Sequence, residues 1–167
     1  ALYEVYNSEC ALNPFAFNIN GTGDTVACGP IQFTRAGISG LGVTYRQVKD
    51  ACLKKDLELL MTLAHAYMVR AAKGNALPNA CDAYTAVFMP SFVGGDMNTV
   101  LASLKSSRPD YYLQNIGLDG HYLEGNRIMT SAKARDGKIT VYDLHLHLEL
   151  KKSLLLNRYP KNAIHLR

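Results

Sequence analysis

Glu9 is the side chain of this sequence whose position best suits acid–base chemistry. It follows Val5 by four residues and Leu2 by seven, so on a helix it shares their apolar, inward-facing side. Partial burial disfavours a charged carboxylate and raises its pKa, by up to ~3–5 units at full burial. We therefore expect Glu9 to keep a proton near neutral pH and to act as a general acid. The alternative is a carboxylate that is simply solvated in the last turn of the helix.

The segments around and after Glu9 follow one another in the order of a known superfamily's motifs. They are Ser-Glu-Cys-Ala-Leu-Asn-Pro-Phe-Ala-Phe-Asn at 8–18, Gly-Pro-Ile-Gln-Phe-Thr at 29–34 and Ala-Tyr-Thr-Ala-Val-Phe-Met-Pro at 83–90. Together they resemble the signature of soluble lytic transglycosylases and goose-type lysozymes, and most closely that of bacteriophage wall-degrading domains. In that superfamily a glutamate ends a helix, a glutamine segment follows on the next helix, and a tyrosine motif comes later. The resemblance covers residues 1–90.

The resemblance implies a role for five residues of this chain. Glu9 takes the place of the catalytic acid, Gln32 lines the sugar cleft, and Tyr84 reaches toward the glutamate. Phe33 and Phe88 belong to the same motifs and are expected to bind substrate. The implied fold is mostly α, a lysozyme-like single domain over residues 1–167 with a long early loop over the cleft. The implied substrate is the peptidoglycan glycan strand, cut at the MurNAc-GlcNAc bond with neither cofactor nor metal.

The sequence of the early loop does not decide whether the cleaved sugar is hydrolysed or forms an anhydro product. Cys10 replaces the superfamily's serine, and residues 19–28 lengthen the stretch before the glutamine motif. If a second carboxylate flanked the bond, it would position water for hydrolysis. Without one, the sugar's own C6 hydroxyl closes onto the anomeric carbon and gives an anhydro product. Asp24 is the only carboxylate in this loop, and an aspartate beside glycine is also a common turn residue. We expect transglycosylase-like cleavage, with a hydrolytic muramidase as the alternative.

The net charge of +4 suits an anionic partner such as a bacterial wall, a nucleic acid or a membrane surface. The basic residues are scattered, without a basic helix that carries interleaved aromatics, so we expect no nucleic-acid binding. No apolar stretch approaches the ~20 residues of a spanning helix, so we expect no membrane insertion. The helical pattern is already present in the first residues, so we expect further domains of a longer phage protein. We expect that protein to be located in a phage virion or in the host periplasm or cell wall. A wall-binding virion module without activity is the other class of function.

Cysteines and histidines give no clear metal signal. Cysteines at 10, 28, 52 and 81 form no CxxC pair, and they are consistent either with disulfides or with buried thiols. His145 and His147 would share one face of a strand but point apart on a helix, and no third ligand is close in sequence. We therefore expect no metal site.

The remaining sequence predicts a mostly helical chain. Helices are expected over residues 1–9, over 44–72 as one helix or two in series, over 80–89, over 98–104 with Asp96 as N-cap, and over 139–154, where Thr140 and Asp143 form a capping-box-like start. Residues 18–29 read as an irregular loop. Tyr111, Tyr112 and Tyr122 are candidates either for a sugar-stacking groove or for the core.

Overall fold

The computed structural model describes residues 2–18 and 27–158. Its elements in chain order are α1 (Leu2–Cys10), α2 (Tyr45–Lys54), α3 (Leu57–Ala72), α4 (Ala80–Phe88), β1 (Val100–Ser103), α5 (Pro109–Gln114), β2 (His121–Glu124), β3 (Arg127–Thr130), β4 (Lys138–Thr140) and α6 (Val141–Arg158). The predicted mostly helical class is confirmed. The chain divides into two compact units, residues 1–78 and 79–167. A single domain over the whole chain stays a prediction.

The first unit is built on two helices in series. Thr44 caps α2 with a capping box, in which its hydroxyl accepts from the Gln47 amide and its own amide donates to the Gln47 side chain at 2.8 Å. Lys55 then adopts a left-handed conformation with φ 57°, and the Asp56 carboxylate accepts from the Leu59 amide to start α3. The helical pattern predicted over 44–72 is therefore two helices with a sharp reversal between them.

A short turn over residues 28–33, called here the Cys28–Phe33 turn, closes beside these helices. The Cys28 amide donates to the Phe33 carbonyl at 3.1 Å, and the Phe33 amide donates back at 2.7 Å. The turn needs glycine at position 29, where φ is 85° and an added Cβ would lie 3.1 Å from the Phe33 ring. Its apolar side chains belong to the core of the unit: Cys28, Ile31 and Phe33 are at most 3% exposed.

The second unit packs α4 against α6 and carries two antiparallel strand pairs. Strand β1 pairs with β4, with Ala102 opposite Ile139, and β2 and β3 form a hairpin. Strand β4 passes directly into α6, because Thr140 ends the strand and also caps the helix. The Thr140 amide donates to the Asp143 carboxylate at 2.7 Å, and the Asp143 amide donates to the Thr140 hydroxyl. The predicted Thr140–Asp143 capping box is confirmed.

Two helix predictions need correction in this unit. The helix predicted over 98–104 is wrong: Val100–Ser103 is a strand, and the Asp96 carboxylate accepts from the Asn98 amide in a turn rather than capping a helix. The pairing with β4 decides the conformation of this short apolar run, whose periodicity is ambiguous. The helix predicted over 139–154 begins at Val141 and extends to Arg158, because Ile139 belongs to β4. Its alternating pattern combined a strand with the start of a helix.

The buried carboxylate of Asp119 ties α5 to the turn before β4. Asp119 is 3% exposed and accepts from the Tyr112 hydroxyl at 2.6 Å, the Gly137 amide at 3.0 Å and the Asp136 amide at 3.4 Å. Three donors from two distant parts of the sequence therefore share one acceptor group, and without it the buried Tyr112 hydroxyl would have lost its partner in the core.

Asp119→Ala is expected to lower the free energy of unfolding by about 3 kcal/mol, because it leaves the buried Tyr112 hydroxyl without its acceptor and removes the contacts to the turn before β4. The midpoint of thermal unfolding, followed by circular dichroism, is expected to fall by more than about 5 °C. Asp110→Ala is the matched control: Asp110 is exposed and its contact with Arg108 is 3.8 Å long, so the change should stay within about 0.5 kcal/mol. Equal midpoints for the two variants would contradict the role given to Asp119.

Candidate functional site

Glu9 lies in the last turn of α1. Val5, four residues earlier on the same face, is 0% exposed, and Glu9 itself is partly buried. The apolar face predicted for this helix therefore points into the first unit, as the spacing of Val5 and Glu9 requires. The carboxylate stands at the border between that core and solvent.

Tyr67 on α3 is the tyrosine within electrostatic reach of Glu9 in this unit. The pKa of Tyr67 is raised, first because burial disfavours the phenolate, and additionally because of the negative charge of Glu9, while the charge of Arg70 acts in the opposite direction. The phenol is therefore neutral at physiological pH and retains its proton beside the carboxylate.

Phe33 packs its ring against Tyr67. The two ring centroids lie 6.4 Å apart with an interplanar angle of 78°, an edge-to-face contact. Phe33 is 2% exposed, so it supports Tyr67 from within the core. The substrate-binding role that the resemblance implies for Phe33 stays a prediction.

Gln32 lies in the Cys28–Phe33 turn and has φ 52°. The glutamine segment, which lies on a helix in the superfamily, forms a turn here, because the paired amides of Cys28 and Phe33 close it. The Gln32 side-chain amide donates to the Gly29 carbonyl at 3.0 Å, which fixes its orientation. Gln32 is partly buried and directly precedes Phe33, whose ring packs against Tyr67.

Arg70 completes the group one helical turn after Tyr67. Its guanidinium carbon lies 5.3 Å from the centroid of the Tyr67 ring, and its nitrogens donate to the carbonyls of Gly37 and Ser39. Arg70 therefore ties the loop after the Cys28–Phe33 turn to α3. The sequence interpretation placed Tyr67 in the core helix and gave Arg70 no role. The signal that was present is their three-residue spacing, which puts a phenol and a cation on one helical face.

Tyr84 and Phe88 lie in the second unit, on α4. Tyr84 is 5% exposed and stacks on His147 of α6, with centroids 6.1 Å apart and an interplanar angle of 16°. Phe88 packs on Tyr111 at 5.4 Å, and the Tyr111 hydroxyl donates to the Phe88 carbonyl at 2.8 Å. Both motif residues are thus held by neighbours of their own unit. The approach of Tyr84 to Glu9 stays a prediction.

A cavity of about 550 Å³ opens beside Phe88 in the second unit. This volume is in the range of small-molecule sites, ~300–1,000 Å³. Its walls are mostly aromatic and aliphatic, and its polar lining comes from serines and one arginine. The lining includes Phe88, Met89, Phe92, Val100, Leu101, Ser103, Ser106, Ser107, Arg108 and Tyr111. Of the three tyrosines considered for a groove, Tyr111 lines this cavity, Tyr112 is buried with Asp119, and Tyr122 is exposed on the hairpin.

The histidines of α6 have different neighbours. The His145 ring contacts Tyr142, whereas the His147 ring contacts Tyr84 and lies edge-on to His121 at 5.4 Å. Within residues 2–18 and 27–158, no group of three or more His, Cys, Asp or Glu side chains is arranged to hold a metal ion. In the same residues no helix has the length and apolarity needed to cross a membrane.

Asp24, the candidate for positioning water, lies outside the described residues. No family model, curated protein or solved structure gives a significant match to this chain. The site is therefore interpreted from its own residues.

His147 is expected to make the stability of the protein depend on pH. Burial, with smaller contributions from the charges of Lys151 and His121, lowers the pKa of His147 to about 4. An unfolded histidine takes up its proton near pH 6.5. Between these values the unfolded chain binds more protons than the folded one, so the free energy of unfolding falls as the pH is lowered from about 6.5 to 4.

We expect the wild type to lose about 2–3 kcal/mol more than His147→Gln over this range, measured by urea unfolding at a series of pH values. His145→Gln, on the same helix, serves as the control and should follow the wild type. Parallel curves for the wild type and His147→Gln would show that His147 does not titrate as described.

Proposed function

We propose that this protein cleaves the β-1,4 MurNAc-GlcNAc bond of peptidoglycan glycan strands in a lytic-transglycosylase-like reaction, with Glu9 as the acid. The observation that carries the proposal is the group around Tyr67 in the first unit. The charge of Glu9, a partly buried carboxylate at a helix end, acts on the buried phenol of Tyr67, and the ring of Phe33 from the glutamine motif packs against the same phenol. The proposed fold is lysozyme-like.

In the proposed reaction Glu9 first acts as an acid. Its proton passes to the glycosidic oxygen, the bond from that oxygen to the anomeric carbon of MurNAc breaks, and positive charge develops on the sugar. Glu9, now a carboxylate, then removes the proton of the C6 hydroxyl of the same sugar, and this oxygen closes onto the anomeric carbon. Atoms balance without water, and the product carries a 1,6-anhydro end. One carboxylate therefore serves both steps.

The neighbours of Glu9 suit this sequence of roles. Tyr67 keeps its proton, because burial raises its pKa, and so adds no charge that would oppose the carboxylate formed in the first step. The edge of Phe33 and the guanidinium of Arg70 hold the Tyr67 ring on two sides. The Gln32 side chain, fixed on Gly29, supplies an amide at the same turn for sugar hydroxyls. We place the protein in a phage virion or in the host periplasm or wall, where such strands are accessible.

Glu9→Gln is expected to lower the release of soluble muropeptides from purified peptidoglycan by at least about 100-fold, because an amide cannot donate the catalytic proton. The matched control is Glu58→Gln in the first turn of α3, where the carboxylate is exposed. It should leave the release unchanged. Lysis retained by Glu9→Gln would overturn the proposal.

The products of the wild type decide the reaction type. Mass spectrometry is expected to show muropeptides one water lighter than those with reducing ends. Reducing ends would instead favour the hydrolytic muramidase with Asp24 positioning water. Binding to insoluble peptidoglycan without any release would favour the non-catalytic wall-binding module.

Tyr67→Phe is expected to lower kcat by about tenfold while leaving the fold intact, because the ring that contacts Phe33 and Arg70 remains and the hydroxyl within electrostatic reach of Glu9 is lost. The pH profile of kcat should keep its position, because the phenol that is removed is neutral near neutral pH. Tyr111→Phe, in the second unit, is the control with the same chemical change. An unchanged kcat in Tyr67→Phe would restrict Tyr67 to a structural role.

A further inference from the structure

The cavity beside Phe88 is lined by three aromatic side chains of the second unit. Phe88, Phe92 and Tyr111 are each only partly buried, and they border an open space of about 550 Å³. Val100 and Leu101 of β1 add aliphatic surface to the same lining. Concave sites with aromatic and aliphatic walls are where proteins bind small molecules. The cavity therefore suits a ligand with an apolar body.

Hydrogen bonds hold the walls of this cavity in place. The Tyr111 hydroxyl donates to the Phe88 carbonyl at 2.8 Å, and the centroids of the two rings lie 5.4 Å apart. In the segment after β1, the Ser106 hydroxyl donates to the Ser103 carbonyl at 2.7 Å and accepts from the Arg108 amide at 3.3 Å. Two parts of the lining are thus fixed by their own contacts, so a ligand does not have to order them when it binds.

Arg108 gives the lining of the cavity a positive charge. Within the part of the chain that the structure describes, it is the only charged side chain of the lining, and Ser103, Ser106 and Ser107 add hydroxyl groups. The Arg108 side chain is 76% exposed, and its Nη2 atom lies 3.8 Å from Oδ2 of Asp110, whose side chain is 59% exposed. An ion pair this long and this solvated contributes little free energy. The guanidinium is therefore available to the carboxylate of a ligand, which it can bind through two parallel hydrogen bonds.

We propose that this cavity is a binding site for a small planar aromatic carboxylate. The ring system of the ligand lies among Phe88, Phe92 and Tyr111, because aromatic rings pack favourably in stacked and edge-to-face arrangements. Its carboxylate lies on the solvent side, where the Arg108 guanidinium and the serine hydroxyls donate hydrogen bonds. Every lining residue belongs to the second unit. The inference therefore does not depend on Glu9 or on glycan cleavage.

The test is isothermal titration calorimetry of the full chain with 2-naphthoate and with 2-naphthamide, which has the same ring system without the charge. We expect saturable binding of 2-naphthoate that is about fivefold tighter than that of 2-naphthamide, which is the upper range for an exposed ion pair. Absence of saturable binding, or equal affinities of the wild type for the two compounds, would overturn the proposal.

Charge variants identify the group that recognises the carboxylate. Arg108→Gln is expected to bind the two naphthyl compounds equally, whereas Arg127→Gln, an exposed arginine of β3 outside the cavity, keeps the fivefold difference. Asp110→Asn should bind 2-naphthoate about twofold more tightly and 2-naphthamide as before, because it removes the carboxylate that competes for Arg108. A difference that persists in Arg108→Gln, or that is lost in Arg127→Gln, would contradict the proposed recognition.

A cavity-filling variant locates the ring system of the ligand. Ser107→Trp is expected to abolish binding of both compounds, because the added ring takes up space in the cavity. Ser107 is exposed, and the hydrogen bonds of its segment run through Ser103 and Ser106, so the fold should be retained, as circular dichroism will check. Lys133→Trp, at an exposed position outside the cavity, is the control and should bind both compounds like the wild type. Wild-type affinity in Ser107→Trp would place the compounds elsewhere and overturn the proposal.

Discussion

The two backbone hydrogen bonds between Cys28 and Phe33 are the constraint on which the first unit depends. They close a turn that holds the ring of Phe33 in the core against Tyr67. The turn is possible because Gly29 tolerates a φ of 85° with the Phe33 ring 3.1 Å from where a Cβ would stand. Gly29 and the two paired amides thus fix the positions of Phe33, Gln32 and Cys28.

The group around Tyr67 joins the core of the first unit to the proposed catalytic acid. The charge of Glu9 acts on the buried Tyr67 phenol, and that phenol is held by Phe33 on one side and by Arg70 on another. Arg70 in turn binds two loop carbonyls. The fold of this unit and the proposed reaction therefore depend on the same residues.

Sequence reasoning succeeded where local periodicity decides the structure. The helices within 2–10, 45–72 and 80–88 follow the 3.6-residue spacing of their apolar residues, as Val48, Leu60 and Tyr67 show for α2 and α3. The capping box at Thr140 is likewise a purely local signal. It failed at Val100–Ser103, because that strand exists through pairing with a distant segment whose partner residues no local window contains. The β2–β3 hairpin was also missed, although its two-residue turn of Gly125 and Asn126 is a local signal.

In the candidate site, too, the residues with a local sequence signal were predicted and those placed by packing were not. Glu9 was found from its spacing to Val5, which is a local property of one helix. Tyr67 was not singled out, since its approach to Glu9 depends on how α1 and α3 pack within the unit. Gln32 was found by its motif, but the turn that holds it could not be predicted, because the pairing of the Cys28 and Phe33 amides closes that turn.

Strand β4 passes into α6 without a loop, because Thr140 is both the strand residue opposite Val100 and the cap of the helix. Val100 in turn belongs to β1, which forms one wall of the cavity beside Phe88. The residue that starts α6 is therefore paired directly with a residue that lines the cavity.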